Sequence, residues 1–278
     1  KSGNTESIKA LISLYPESKR REVLGRTSQD ERTALHFAAN SGNVESVNFI
    51  LSLLTESEQL QAVNMRDKFK RSVLHQAAES GDIQCIMAIL NIYPEYIQRI
   101  QALNKGDRNR GIVLHHAAIS GNPESIKIIL GCYPESLQLE MLNANDDWGR
   151  TILHYAASST NSIEGILDLF PESLRFWAVD KTCFVGTALH VAADKGNAES
   201  AKVILNACPE SERLRIVCTY NGAGETALHC AAESEHTIKT ILELLPESQR
   251  LQAVCARDKS DENVLFWAAR AQNFQSVY

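Results

Sequence analysis

The sequence predicts an all-α solenoid, a stack of short helical repeats, and three observations carry that prediction. The segment Thr33-Ala34-Leu35-His36 returns as Ser72-Val73-Leu74-His75, Ile112-Val113-Leu114-His115, Thr151-Ile152-Leu153-His154, Thr187-Ala188-Leu189-His190, Thr226-Ala227-Leu228-His229 and Asn263-Val264-Leu265-Phe266. Each copy is followed by one residue and then Ala-Ala, at successive steps of 39, 40, 39, 36, 39 and 37 residues. A fixed period of this size marks an array in which units stack on their neighbours. The 278 residues are 44% hydrophobic and 22% charged, ordinary for a packed protein. No apolar run approaches the roughly 18 residues of a membrane span.

Within one repeat the elements follow in order. Thr33 is a good N-cap, and Leu35, Ala38 and Ala39 place small apolar residues on one face of a short first helix. Gly42 ends it. Val44, Val47, Ile50, Leu51 and Leu54 recur at three- and four-residue steps and predict a second helix, with equivalents at 83–90, 125–130, 163–169, 200–205 and 237–245. Tyr-Pro-Glu-Ser or a relative comes next, at Tyr15, Tyr93, Tyr133, Phe170, Cys208 and Leu245. Proline stops the second helix and suits the first position of another, with glutamate in its first turn. Leu137, Met141 and Leu142, or Leu251 and Val254, then fall at helical spacing, so each repeat gains an extra short third helix. The Ser-Gly-Asn turn is lost at 158–161 and 234–236, and those two repeats are expected to be the least regular.

Thr-Ala-Leu-His-x-Ala-Ala-x-x-Gly-Asn resembles the ankyrin repeat, whose signature is Thr-Pro-Leu-His-x-Ala-Ala. Asn64-Met65-Arg66-Asp67, Asn104-Lys105-Gly106-Asp107 and Asn143-Ala144-Asn145-Asp146 resemble the base of that family's β-finger, and its finger glycine survives as Gly149 and Gly224. The resemblance covers the whole chain and implies an ankyrin-repeat α-solenoid of helix pairs with β-finger loops. The chain then reads as one array over 1–278: a partial repeat to residue 25, repeats starting near 26, 64, 104, 143, 180 and 218, and a partial repeat over 256–278. With no polar capping unit at either end, it reads as an excerpt of a longer protein. The array departs from the family in two ways. The motif proline is replaced by Ala34, Val73, Val113, Ile152, Ala188, Ala227 and Val264, and the period exceeds 33 residues because of the Pro-Glu-Ser segment. A tetratricopeptide array has a similar period, but its Trp and Tyr signature is absent.

Little here points to catalysis. Six of the eight histidines occupy one motif slot, a repeated framework position without a recurring nucleophile or orienting acid. The resemblance implies that they tie neighbouring loops together. His116 and His236 lie outside the slot, with no partner evident in the sequence. The seven cysteines form no Cys-x-x-Cys pair, so no metal site is expected, and their odd, scattered set reads as free thiols in a reducing compartment. No phosphate loop or nucleophile elbow occurs. We therefore expect no catalytic residues, no cofactor and no enzyme activity from this chain. A net charge of −6 argues against a nucleic-acid partner.

The resemblance implies a protein-binding surface made of finger tips and the exposed end of the first helix. Phe69, Trp148 and Phe184 fall in one equivalent fingertip slot, and an exposed aromatic is a typical interface anchor. Arg66, Lys68, Lys70 and Arg71 face a single Asp67, and Lys105, Arg108 and Arg110 a single Asp107, a basic edge suited to an acidic partner surface. Ile119 is an apolar residue at the solvent end of a first helix. The candidate partner-binding set is Lys68, Phe69, Arg71, Arg108, Arg110, Ile119, Trp148, Arg150 and Phe184, centred on the second to fourth fingers. The expected function is a protein-interaction scaffold, in the cytoplasm, and membrane lipid is not an expected partner. The alternative is a targeting or substrate-recruiting arm of a larger enzyme or effector. Secreted effectors of intracellular bacteria include arrays of this build, which would place it in host cytoplasm.

Overall fold

The computed structural model describes residues 5–159 and 163–275. Part of the 158–161 turn lies outside the described residues. The chain divides into two compact units, Lys1–Met141 and Leu142–Tyr278.

In the first unit the first helices are Ala34–Asn40, Val73–Ser80 and Val113–Ile119. The second helices are Thr5–Ser13, Val44–Ser52, Ile83–Leu90 and Pro123–Leu130. In the second unit the first helices are Ile152–Ala156, Ala188–Asp194 and Ala227–Cys230, with Val264–Gln275 closing the described chain. Their second helices are Ile163–Leu167, Ala198–Asn206 and Glu235–Glu243. Within each unit successive first helices pack together through the Ala-Ala face. Ala77, Ala78, Ala117 and Ala118 are wholly buried, as are Leu74 and Leu114. Burying such a leucine contributes about 2 kcal/mol, and the alanines let the helices approach closely enough for it to be buried.

The expected third helix is present in every repeat: Glu17–Leu24, Glu56–Asn64, Tyr96–Asn104 and Glu135–Leu142, then Glu172–Val179, Glu210–Val217 and Glu247–Val254. The proline stands one residue earlier than the sequence suggested. At Pro16, Pro171, Pro209 and Pro246 it is the N-cap, with ψ between 138° and 144°. Its carbonyl accepts the first helical bond, from Lys19, Leu174, Glu212 and Gln249. A residue at this position needs an acceptor and no N–H, which suits proline. Four residues on, a Gln or Arg reaches back to a carbonyl near the end of the second helix. Arg20 donates to Tyr15, Gln138 to Tyr133, Arg175 to Phe170 and Arg250 to Leu245, at 3.1–3.4 Å. Orphan carbonyls at a helix end are thereby satisfied by the element that follows.

Among the described residues the β-fingers contain only single bridges, Arg66 with Ser72, Cys183 with Gly186 and Arg257 with Asn263. Side-chain acceptors at their base hold them. Asp67 Oδ1 accepts from the Phe69 and Arg71 amides, Asp107 Oδ1 from Asn109 and Gly111, Asp146 Oδ1 from Trp148 and Arg150, and Asn221 Oδ1 from Ala223 and Glu225, all at 2.8–2.9 Å. These are Asx turns. The finger at 183–186 is shortened: Cys183 and Gly186 exchange both backbone bonds at 2.9 and 3.0 Å, with Gly186 at φ 96°. A side chain at 186 would begin 2.5 Å from the His190 ring. This contraction removes one of the three residues by which the step of 36 falls short of 39, and the other two are lost between His154 and Pro171, 17 positions apart against 19 from His115 to Pro134.

The motif histidines are buried framework. Thr151, Thr187 and Thr226 each donate their backbone N–H to the Nδ1 of His154, His190 and His229 at 3.1–3.2 Å. Nδ1 is thus an acceptor and the proton sits on Nε2. That proton goes to the next finger's backbone: Gly186 O at 3.1 Å from His154, Thr219 O at 3.0 Å from His190 and Glu262 O at 3.1 Å from His229. His36 Nε2 faces the Met65 and Arg71 backbone without closing a well-formed bond.

Burial pushes the pKa of His154 down to about 4. The unfolded chain then takes up a proton that the folded one refuses between about pH 6.5 and 4, and stability falls as pH drops through that window. The loss attributable to His154 is about 3 kcal/mol. Urea unfolding of the wild type and His154→Gln at pH 7 and pH 4.5 is expected to show a clearly smaller pH dependence in the variant.

Candidate protein-interaction face

The nine candidate residues fall on both units. Lys68, Phe69, Arg71, Arg108, Arg110 and Ile119 belong to the first, and Trp148, Arg150 and Phe184 to the second. The apolar members reach solvent, with Phe69 37%, Ile119 39%, Trp148 56% and Phe184 66% exposed. Phe69 lies between two cations, Lys68 Nζ at 5.1 Å and the Arg71 guanidinium at 5.0 Å from its ring centre. Phe184 leans over Gly222 of the next finger, where a Cβ would meet its ring at 2.5 Å. Phe37, Val185 and Tyr220 are also exposed, and the sequence reading did not single them out.

The fingers carrying Phe69 and Phe184 are tied to their neighbours. The Lys68 amide donates to Asp30 O at 2.9 Å, the Arg108 amide to Phe69 O at 2.8 Å, and the Gly222 amide to Phe184 O at 2.8 Å. A ring held this way loses little conformational freedom on contact with a partner.

Much of the basic edge is engaged in holding the fingers. Arg71 Nε and Nη2 hold Asp67 Oδ2 at 3.0 and 2.9 Å, and Nη1 faces Glu79 at 3.5 Å. Arg32 joins the same Asp67 at 3.3 Å. Arg66 donates to Lys70 O at 2.6 Å and also to Gly106 O, and Lys68 pairs with Asp30. Arg150 holds Asp146 at 2.7 Å and donates to Tyr155 Oη at 2.8 Å. Lys70, Arg108 and Arg110 are exposed at the tips. Lys70 and Arg110 have φ of 60° and 61°, where the next repeats carry Gly149 and Gly224. Such a non-glycine residue carries roughly 1–2 kcal/mol of backbone strain.

Beneath this edge lies a cluster that the sequence reading missed. His116, which had no partner in the sequence, is buried between two carboxylates, Nε2 on Asp107 Oδ2 at 3.1 Å and Nδ1 on Glu79 Oε2 at 3.3 Å. Its ring meets His75 edge-on, with centres 4.9 Å apart. Burial opposes a charge on His116, yet the bonds to Asp107 and Glu79 outweigh it and raise its pKa. Burial likewise works against the Asp107 carboxylate, while His116 and the Asn109 and Gly111 amides hold it down at about 2. Burial and then the neighbouring His116 charge push His75 down to about 3.

A spacing signal was available. The residue after the motif histidine stands nine positions beyond the finger Asp or Asn and bonds back to it in several repeats. Tyr155 donates to Asp146 at 2.8 Å and Trp267 to Asp258 at 2.9 Å, and Cys230 lies 3.9 Å from Asn221. His116 is the member of that series that can carry a positive charge.

Removing His116 leaves Glu79 and Asp107 without their shared cation, so His116→Ala is expected to cost about 3 kcal/mol. A raised folded pKa gives a contribution that is complete below about pH 6.5 and lost as pH rises through the folded value. Urea unfolding at pH 6 and pH 9 is expected to show the gap between wild type and variant narrowing at the higher pH.

Comparison with known proteins accords with this geometry. A family model described as ankyrin repeats in three copies matches residues 53–139, 114–212, 168–252 and 189–278, and the single ankyrin repeat matches 30–67. No curated protein matches the chain. Among solved structures, the ankyrin repeat domain of human ASB11 is similar, with a TM-score of 0.57 at 17% identity over 88% of this chain and 98% of that one. At that identity the likeness speaks for the fold alone. Among the described residues no helix is long and apolar enough to cross a membrane. With the family matched over most of its length, and with the motif histidines and fingers placed as described, this chain belongs to the ankyrin repeat family.

Proposed function

We propose that this chain is a protein-interaction scaffold that receives a protein partner on its finger tips and the exposed ends of its first helices. Ankyrin repeats are in general modules that bind other proteins. The observation that carries the reading here is the set of exposed aromatic rings: Phe69 on a finger pinned by an Asx turn and by finger-to-finger backbone bonds, Trp148 on one pinned by an Asx turn, and Phe184 on one bonded to Gly222 of the next finger. Pre-ordered aromatics of this kind are the usual anchors of protein interfaces. Ile119 adds apolar surface in the first unit. Arg108 and Lys70, exposed and without an ion pair among the described residues, favour an acidic partner surface, with Arg110 beside them. Lys68, Arg71 and Arg150 serve the face mainly by stiffening it.

Phe69→Ala and Trp148→Ala are each expected to weaken a captured partner by about tenfold or more, with unfolding midpoints close to wild type. Isothermal titration of a partner identified by affinity capture measures this, and unchanged affinity in both variants sinks the placement. Association is also expected to weaken as salt rises from about 0.05 to 0.5 M. A flat salt dependence argues against the acidic partner.

A further inference from the structure

The first unit has a rule at the junction between its third helices, and one place breaks it. The residue before the Pro-Glu pair is Tyr93 in one repeat and Tyr133 in the next, both buried. Each hydroxyl donates to an asparagine 29 residues earlier, at the end of the preceding third helix. Tyr93 reaches Asn64 at 3.3 Å and Tyr133 reaches Asn104 at 2.7 Å. A buried tyrosine ring fills the space between the helices, and the asparagine satisfies its hydroxyl.

At the same offset in the repeat before, the pair is Leu54 and Gly25. Ring and acceptor are missing together, and the space they would fill is an open groove of about 300 Å³. Leu24, Leu35 and Ile50 form its buried apolar floor, Leu54 and Met65 flank it, and the Arg21–Glu58 ion pair at 3.5 Å stands on its rim. Gly25 has φ −80°, so the backbone does not demand glycine there. A Cβ at 25 would meet only the Glu22 and Arg21 carbonyls at 3.6 and 3.7 Å, ordinary contact distances. The missing side chain leaves the mouth clear and serves no turn.

We propose that this groove is a receptor for a tyrosine ring presented by a protein partner. The incoming ring takes the place that Tyr93 and Tyr133 fill from within the chain in the two repeats that follow. The warrant is the chain's own solution to the same junction: apolar walls of matching position, accepting a phenol twice, stand without one here. The site is on the third-helix side, away from the finger tips, and does not depend on the fingertip reading.

The test uses N-acetyltyrosinamide as probe, with N-acetylphenylalaninamide and N-acetylleucinamide beside it, titrated into the methyl-labelled protein. Saturable shifts of the Leu24, Leu54 and Met65 methyls are expected with the aromatic probes, and weaker ones with the leucine probe. Leu54→Tyr restores the internal ring and is expected to reduce probe affinity by about tenfold or more while raising the unfolding midpoint, because it fills a cavity. Gly25→Asn restores the acceptor and leaves the groove empty. It is expected to strengthen the tyrosine probe by about two- to tenfold, the range of one hydrogen bond, and to leave the phenylalanine probe unchanged. The Gly25→Asn gain keeps the proposal testable if Leu54→Tyr misfolds. Absence of saturable shifts in the wild type, equal binding of the leucine probe, or a Gly25→Asn variant that gains nothing for tyrosine would each overturn it.

Discussion

The structure depends on a neutral imidazole held in one tautomer. The N-cap amide of the first helix occupies Nδ1, so the single ring proton is directed from Nε2 to a backbone carbonyl in the following finger. One side chain closes the start of its own helix and fastens the next repeat, and it does so in a slot from which water is excluded. The depressed pKa values follow from that exclusion, since burial penalises the charged ring. The chemistry that makes histidine a catalytic residue elsewhere is suppressed here by burial.

Around that framework the fingers follow a second logic, in which charge is used locally before it is offered outward. Asp67 gathers two backbone amides and two guanidinia, and Asp107 gathers two amides and His116. Where the finger's fourth residue after the aspartate is an arginine, it takes the outer carboxylate oxygen. Where it is Gly111, the histidine after the motif takes its place. A partner approaching the first unit meets rings and a few tip cations standing on a neutralised base.

The helices, the motif slot and the added third helix were legible in the sequence because each is a local pattern repeated several times. Proline at the third-helix N-cap was displaced by one residue, since composition marks a boundary without saying which side of it the residue stands on. The state of the basic edge was not legible. Arg71 and Lys68 look alike in a finger of cations, but Arg71 is held by Asp67 of its own finger and Lys68 by Asp30 of the preceding one, which only stacking brings close. His116 is bonded to Glu79 from 37 residues away. Exposure of Phe69, Trp148 and Phe184 was equally hidden, because a ring folded onto its neighbour and one standing in solvent are spelled the same way. The open junction at Leu54 emerges only when positions 29 residues apart are compared as pairs, which requires knowing that they meet.

That pairing also bears on what the exchangeable module of this array is. At the junctions closed by Tyr93 and Tyr133 the asparagine ends one third helix and the ring precedes the next, so a cut through the finger between them severs ring from acceptor. A module that keeps its junctions intact runs instead from one third helix through the following finger, first helix and second helix to the next Pro-Glu. Counted by its junctions, the third helix opens such a module, and the Pro-Glu segment is the seam between one module and the next.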